Sequence, residues 1–273
     1  MSEGLWLLRE MFERRKSGGS LKDFYIDDPI SFPKRFTVAE DVETAALIAA
    51  MFAIGPRYAI LRSLERIFSE LGKSPYRSLI SLDPRQMLKR MDGHIQFAYK
   101  NITGKDVVQI LYATRMVLHS HDTIQGALRA LSKNGDGSPR TILTGLLEMM
   151  KSVGIPASLG GELTPRARSL LASPKEGSAC KRMNMFLRWM TRKDDIDFGL
   201  YEWLGTDRLI VPLDVNVSRA ARKLRLTSRK TDNWKTAEEI TEKLRVLDPV
   251  DPVKYDVPLF LYGIELRKKT NAA

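Results

Sequence analysis

The sequence predicts an all-α protein, on three observations. Apolar residues recur at helical spacing through most of the chain, the strict alternation of a half-buried strand is scarce, and the periodic runs end at Gly or Pro. Ala45, Ile48, Ala49 and Phe52 form the first stripe, which stops at Gly55-Pro56. Ile60, Leu64, Ile67, Phe68 and Leu71 form the second, closed by Gly72 to Pro75. Further stops are expected at Gly93 and Gly104, and Val107, Ile110, Leu111, Thr114 and Leu118 make a third stripe. Two stretches break the rhythm. Residues 132–140 (SKNGDGSPR) read as an exposed, turn-rich connector, and residues 152–177 mix Gly, Pro and Ser around a short helical candidate at 166–171.

Helical spacing resumes after Gly177. Met183, Phe186, Leu187 and Met190 fall at i, i+3, i+4 and i+7, while Lys181, Asn184, Arg188 and Arg192 share the opposite face. A lysine in the first turn opposes the helix dipole, at a cost of up to about 1 kcal/mol, which suggests a reason other than helix stability for its place. The run LIVPLD then ends at Asp214, the expected N-cap of a helix over 215–226. Val217, Ala220, Ala221 and Leu224 give that helix an apolar stripe; Arg219, Arg222, Lys223 and Arg225 surround it with positive charge.

The chain has 273 residues, 43% of them hydrophobic, enough for one large domain or two modest ones. With 44 Lys+Arg against 33 Asp+Glu the net charge is +11, which favours a polyanionic partner, nucleic acid first. A single cysteine, Cys180, excludes an intramolecular disulfide, a four-cysteine zinc site and a cysteine-ligated iron–sulfur cluster, and suits a reducing compartment. The N-terminus has no apolar signal region and no run of 18 apolar residues occurs, so the expectation is a soluble, cytoplasmic protein. GDGSP lacks the Gly-Lys-Ser/Thr ending of a phosphate loop, which sets nucleotide hydrolysis aside. His119 and His121 do not share a helix face and find no third ligand at a suitable spacing, so no metal is expected. Ser178 has no nearby histidine to activate it. Lys254 and Tyr255 of DPVKYD line a site or anchor the last helix.

Lys181-Arg182-Met183-Asn184-Met185-Phe186-Leu187, followed by Pro212-Leu213-Asp214-Val215-Asn216-Val217-Ser218-Arg219, resembles the Lys-x-x-Asn helix and the Asp-bearing turn of the helix-hairpin-helix (HhH-GPD) DNA glycosylases. From about Asp28 to Gly263 the chain is similar to an uncharacterised bacterial and archaeal family related to that superfamily, through SFPKRF, ILRSLERIF, SPYR, GSACKRMNMFLRWM, LIVPLDVNVSRAARKL and DPVKYD. The resemblance implies a lysine nucleophile at Lys181 and a catalytic carboxylate at Asp214. Their spacing, from 181 to 214, is most like the archaeal 8-oxoguanine glycosylase branch. It also implies a six-helix subdomain over 37–190 ending in the hairpin helix, a second helical subdomain made of 1–36 and 191–273, and an interdomain cleft with Lys181 on one wall and Asp214 at its mouth. Gly177 stands alone where the family's hairpin has two glycines, which leaves its hairpin-bound monovalent cation an open point. The chain has no cluster cysteines, matching the cluster-free members, and no other cofactor is implied.

The expected activity is base-excision repair: a glycosylase with AP-lyase activity on a damaged base, 8-oxoguanine first, in double-stranded DNA, the protein acting as a nucleoid-associated monomer. A carboxylate stabilises the oxocarbenium character of the sugar, an amine attacks C1′ to give a Schiff base, and the target nucleotide must be flipped out of the duplex. Gly177 and Ser178 offer backbone amides to a phosphate, Arg182, Arg219 and Arg222 would grip the DNA backbone, and Trp189, Trp203 and Trp234 are candidates to stack on the base. Each residue also has a plainer reading: Asp214 as a cap, Lys181 as a solvated surface residue, the tryptophans as core. A non-catalytic DNA- or RNA-binding protein on a glycosylase-like fold, and an assembly protein that contacts RNA through its charge, are the alternatives.

Overall fold

A computed structural model describes residues 2–17, 26–91 and 102–272. Among the described residues the regular elements are helices and there is no strand, so the all-α expectation holds. The chain divides into two compact units, 24–173 and 1–23 with 174–273. The sequence had placed the boundaries at 37 and 190 instead. The helix at 181–191 therefore belongs with the C-terminal residues, because it packs its polar face on carboxylates from 197, 214 and 256.

The central unit holds eight α-helices among its described residues, against the six expected: α2 (Ala39–Met51), α3 (Arg57–Leu71), α4 (Pro75–Ile80), α5 (Pro84–Met91), α6 (Gly104–His121), α7 (Ile124–Lys133), α8 (Pro139–Lys151) and α9 (Pro165–Leu170). Helix α2 is buried from Asp41 to Met51, polar residues included. Its two buried carboxylates, Asp41 and Glu43, are used as caps for other helices. Glu43 accepts from Ile124 N at 2.8 Å and Gln125 N at 3.0 Å at the start of α7, and Asp41 accepts from Tyr76 N at 3.0 Å at the start of α4. Buried carboxylates are tolerable only when hydrogen-bonded in this way. Gly93 lies outside the described residues, and Gly104 corrects an expectation: it starts a helix instead of ending one. Thr103 and Asp106 form a capping box there, and a Cβ on Gly104 would stand 2.6 Å from the carbonyl oxygen of Met91.

The other unit contains α1 (Glu3–Ser17), α10 (Lys181–Thr191), α11 (Val215–Lys223), α12 (Trp234–Arg245) and α13 (Asp256–Ala272). Helix α11 is held between two close backbone crossings. A Cβ on Gly263 of α13 would lie 2.0 Å from the Asn216 carbonyl oxygen, and one on Gly4 of α1 would lie 2.1 Å from that of Leu224, so only glycine allows the approach. The apolar run before α11 is a buried extended segment, not a strand; its Val211 N–H donates to Thr241 Oγ1 of α12 at 3.0 Å. Helix α11 stops at Lys223, short of the expected 226. Arg225 adopts φ 56°, with Leu226 N bonded to Ala221 O and Arg225 N to Arg222 O. That is a Schellman end without its usual glycine, which is why the sequence hid it.

Candidate functional site

The approach to α10 is a 3-10 turn, Pro174–Glu176, followed by Gly177 at φ 81° and Cys180 at φ 47°. Ser178 Oγ accepts the Cys180 N–H at 3.1 Å, and Ser178 forms a bridge with Asn233 that ties this turn to the start of α12. Cys180 in the left-handed region caps α10 with no side-chain hydrogen bond, so the helix opens directly on Lys181. Asn184, one turn further, is buried. Its Nδ2 donates to Ala179 O at 3.1 Å while its Oδ1 has no hydrogen-bond partner among the described residues.

Asp214 is the N-cap of α11, fixed by the buried Val211-Pro212-Leu213 behind it and the Gly263 crossing above it. Its two oxygens have separate tasks. Oδ1 accepts Asn216 N at 2.8 Å and Val217 N at 2.9 Å, whereas Oδ2 lies 3.7 Å from Lys181 Nζ. The lysine side chain remains 37% exposed and the aspartate 16%, so an amine and a carboxylate held by the backbone meet where solvent can reach them. Asp214 is thus a helix cap, as its plainer reading has it, and its second oxygen at the same time faces the Lys181 amine.

The rest of the polar face of α10 is not solvated, as a charged face normally is. Arg188 donates from Nη1 to Asp256 Oδ2 at 2.7 Å and from Nε to Asp197 Oδ2 at 3.3 Å; Arg192 donates to the same Asp197 oxygen at 2.6 Å and grips Asp251 through Nε and Nη2. Burial tends to lower Arg192, but its carboxylate partners outweigh that and hold its pKa above the ordinary value. Burial pushes Asp197 up despite both arginines. Asp256, the first residue of α13, is pushed up to about 6, chiefly by burial and further by the Asp214 charge, against the pull of Arg188 and Lys181. Asp256 thus belongs electrostatically with Lys181 and Asp214. The signal that contained it, the phrase DPVKYD, had drawn attention to its neighbours instead. Lys254 turns to Asp248 and lies over the rings of Phe12 and Tyr255, anchoring α1 and α13.

The structure places the remaining sequence-derived residues less favourably. Trp189 and Trp234 are 1% exposed core residues, the latter donating to Glu238, which removes both as stacking platforms in this conformation. Trp203 is half-buried beside Tyr201. Arg219 donates to Asn216 Oδ1 and to the Gly263 carbonyl, bracing the α11–α13 crossing, and Arg222 pairs with Asp232 and the Arg229 carbonyl. Part of Arg182 reaches solvent, yet its guanidinium is desolvated, which pulls it down to about 10 against the opposing influence of Cys180. Arg219 and Arg222 are therefore structural partners first, and a phosphate would have to compete for them. Gly177 is exposed and Ser178 partly so. Among the described residues no group of three or more His, Cys, Asp or Glu is placed to hold a metal ion, and no helix is long and apolar enough to cross a membrane.

No curated protein and no solved structure matches this sequence. A family model does, over residues 28–265, a span that includes Lys181, Asp214, Arg188 and Asp256 and omits only the two chain ends. The chain belongs to the family described as protein of unknown function DUF2400.

Proposed function

We propose that this protein is a DNA glycosylase with AP-lyase activity, using Lys181 as nucleophile and Asp214 as the carboxylate that stabilises the reacting sugar. The observation that carries the reading is the 3.7 Å approach of Lys181 Nζ to Asp214 Oδ2 across 33 positions of sequence, with Asp214 locked by two backbone N–H groups. In the reaction the damaged base leaves with the electron pair of the N-glycosidic bond. Positive charge builds on C1′ and the ring oxygen beside the Asp214 carboxylate. The Lys181 amine, once deprotonated, forms the N–C1′ bond; the C1′–O4′ bond then breaks as O4′ takes up one of the nitrogen's protons, which gives the protonated Schiff base. Loss of a 2′ proton then expels the 3′ phosphate by β-elimination.

The reading includes a helix-hairpin-helix, glycosylase-like fold, a flipped base from double-stranded DNA as substrate with 8-oxoguanine first, no cofactor, and a monomeric, cytoplasmic enzyme. The +11 charge supports the polyanionic partner. A second reading, a nucleic-acid-binding protein without chemistry, draws support from the burial of Trp189 and Trp234, which leaves two of the three candidate stacking rings in the core. Release of free base from an 8-oxoguanine duplex, measured by mass spectrometry, separates the two. Asp214→Asn keeps a good N-cap and removes the charge, so stability should hold while excision falls by roughly 10²-fold or more. Wild-type binding without base release on any damaged duplex would favour the second reading.

A further inference from the structure

With Trp189 and Trp234 in the core, the aromatic side chain most open to solvent among the described residues is Tyr58, 73% exposed, followed by Trp6 at 53%. Their surroundings differ in charge. Trp6 has Glu3 one turn before it and Glu10 one turn after, against Arg9. Tyr58 follows Arg57 and has Arg62 as its neighbour at i+4, and the first two turns of α3 contain no acid. The acids further along α3 are already paired: Glu65 accepts from both Nη groups of Arg35, at 3.1 and 2.6 Å, and Glu70 pairs with Arg66 and Arg90. The backbone that carries the ring is fixed. Ala59 is buried, and the N–H groups of Ala59 and Ile60 both donate to the Pro56 carbonyl, at 3.0 and 3.1 Å. Half-buried Leu61 and exposed Arg62 share the ring's side of the helix one turn on. Among the described residues the Tyr58 ring meets no other ring or cation and its hydroxyl has no hydrogen-bond partner, so no such internal contact accounts for its place.

We propose that this surface at the start of α3 binds nucleic acid at an unpaired base, with Tyr58 stacked on the base and Arg57 and Arg62 on its flanking phosphates. A phenol ring presents a flat face that any nucleobase can cover, so the contact is tolerant of sequence. Carried by a fixed backbone, the ring has only two side-chain torsions to order on binding. The two guanidiniums bring positive charge to the same face with no local acid to oppose it, and the net charge of +11 adds to the attraction of a polyanion. Bases inside a duplex are already stacked on their neighbours and leave no face for Tyr58, so the surface selects single strands and bases that have left the helix. This contact requires the nucleic-acid partner that both readings above share, and does not require the chemistry of Lys181.

The test compares, for the full chain, affinity for a labelled oligothymidylate with affinity for an oligomer of the same length and backbone that carries an abasic sugar in place of every nucleoside. The wild type should bind the oligothymidylate more tightly. Tyr58→Ala should lower affinity for the oligothymidylate by about 5-fold or more and leave the abasic oligomer unchanged, while Tyr58→Phe, which keeps the ring, should bind both as the wild type does. Arg62→Gln should weaken both and reduce the slope of log affinity against log salt by about 0.7, the share of one phosphate on a single strand. Because Tyr58 is exposed, thermal unfolding of Tyr58→Ala should match the wild type. Equal affinity of wild type and Tyr58→Ala for the oligothymidylate, or equal losses on both oligomers, would overturn the stacking contact and leave the nucleic-acid partner standing. A wild type that binds neither oligomer and no duplex would overturn both. Absence of base release from every damaged duplex, with the Tyr58 effect present, would count against the glycosylase reading alone.

Discussion

Asp214 divides its oxygens between the backbone of α11 and the Lys181 amine, and the residue-scale consequences follow from that division and from the buried charges behind it. Truncation to alanine should cost about 1 kcal/mol through loss of the cap, a loss that Asn avoids. Arg188 is the more dangerous residue to remove. Arg188→Met would leave Asp256 buried without its arginine and Asp197 with Arg192 alone, and we expect a loss of about 3–5 kcal/mol in denaturant unfolding; a loss under about 1 kcal/mol would mean the network is solvated. Asp256 gives a distinct pH signature. Its pKa is raised from 3.8 to about 6 in the folded chain, so the folded state binds the extra proton between those values and stability declines as pH rises through about 4 to 6. That displacement corresponds to about 3 kcal/mol. The stability of Asp256→Asn relative to wild type should therefore improve by about that amount between pH 4 and pH 7, and a pH-independent difference would contradict the buried, raised carboxyl.

At the scale of elements, the Gly263–Asn216 crossing sets where the N-terminus of α11 stands, and hence where Asp214 stands. Gly263→Ala would put a methyl 2.0 Å from a carbonyl oxygen on a rigid helix, so α11 must move. We expect a cost of about 1–3 kcal/mol together with reduced excision, checked by thermal unfolding and base release on the same preparation. Retention of both would show that the crossing does not position the site. The elements themselves were legible where their stripes were long: α2, α3, α6 and α10 fall where apolar spacing put them. Their ends were less so. Gly104 could be read as a stop because a glycine at a helix start and one at a helix end look alike until the neighbour it must clear is known. Arg225 concealed an end because a non-glycine in the left-handed region carries no local signal. The polar face of α10 misled for the opposite reason, since periodicity separates apolar from polar but does not say whether the polar side meets water or Asp197 and Asp256.

Over the whole molecule, two units are formed from an interrupted chain: the first 23 residues join the last hundred in one, and 24–173 make the other. No local spacing reports that the N-terminal helix belongs with α11 and α13; the relation rests on Gly4 against Leu224 and on Phe12 against Tyr255. Lys181 and Asp214, singled out together by the resemblance to the glycosylases, stand 3.7 Å apart in the structure, whereas nothing in the sequence singled out Asp256, because its burial against Arg188 has no local signal. With a net charge of +11, any affinity for nucleic acid would fall steeply with salt whatever the activity, so binding alone does not identify it. Covalent chemistry can. Borohydride reduction of mixtures containing wild type or Lys181→Gln, on duplexes carrying 8-oxoguanine, an abasic site or no damage, tests the central claim most directly. A cross-linked adduct is expected on the 8-oxoguanine duplex, and it should disappear in Lys181→Gln while DNA affinity stays nearly unchanged. An adduct that persists without Lys181, or none on any duplex while binding is intact, would contradict the claim.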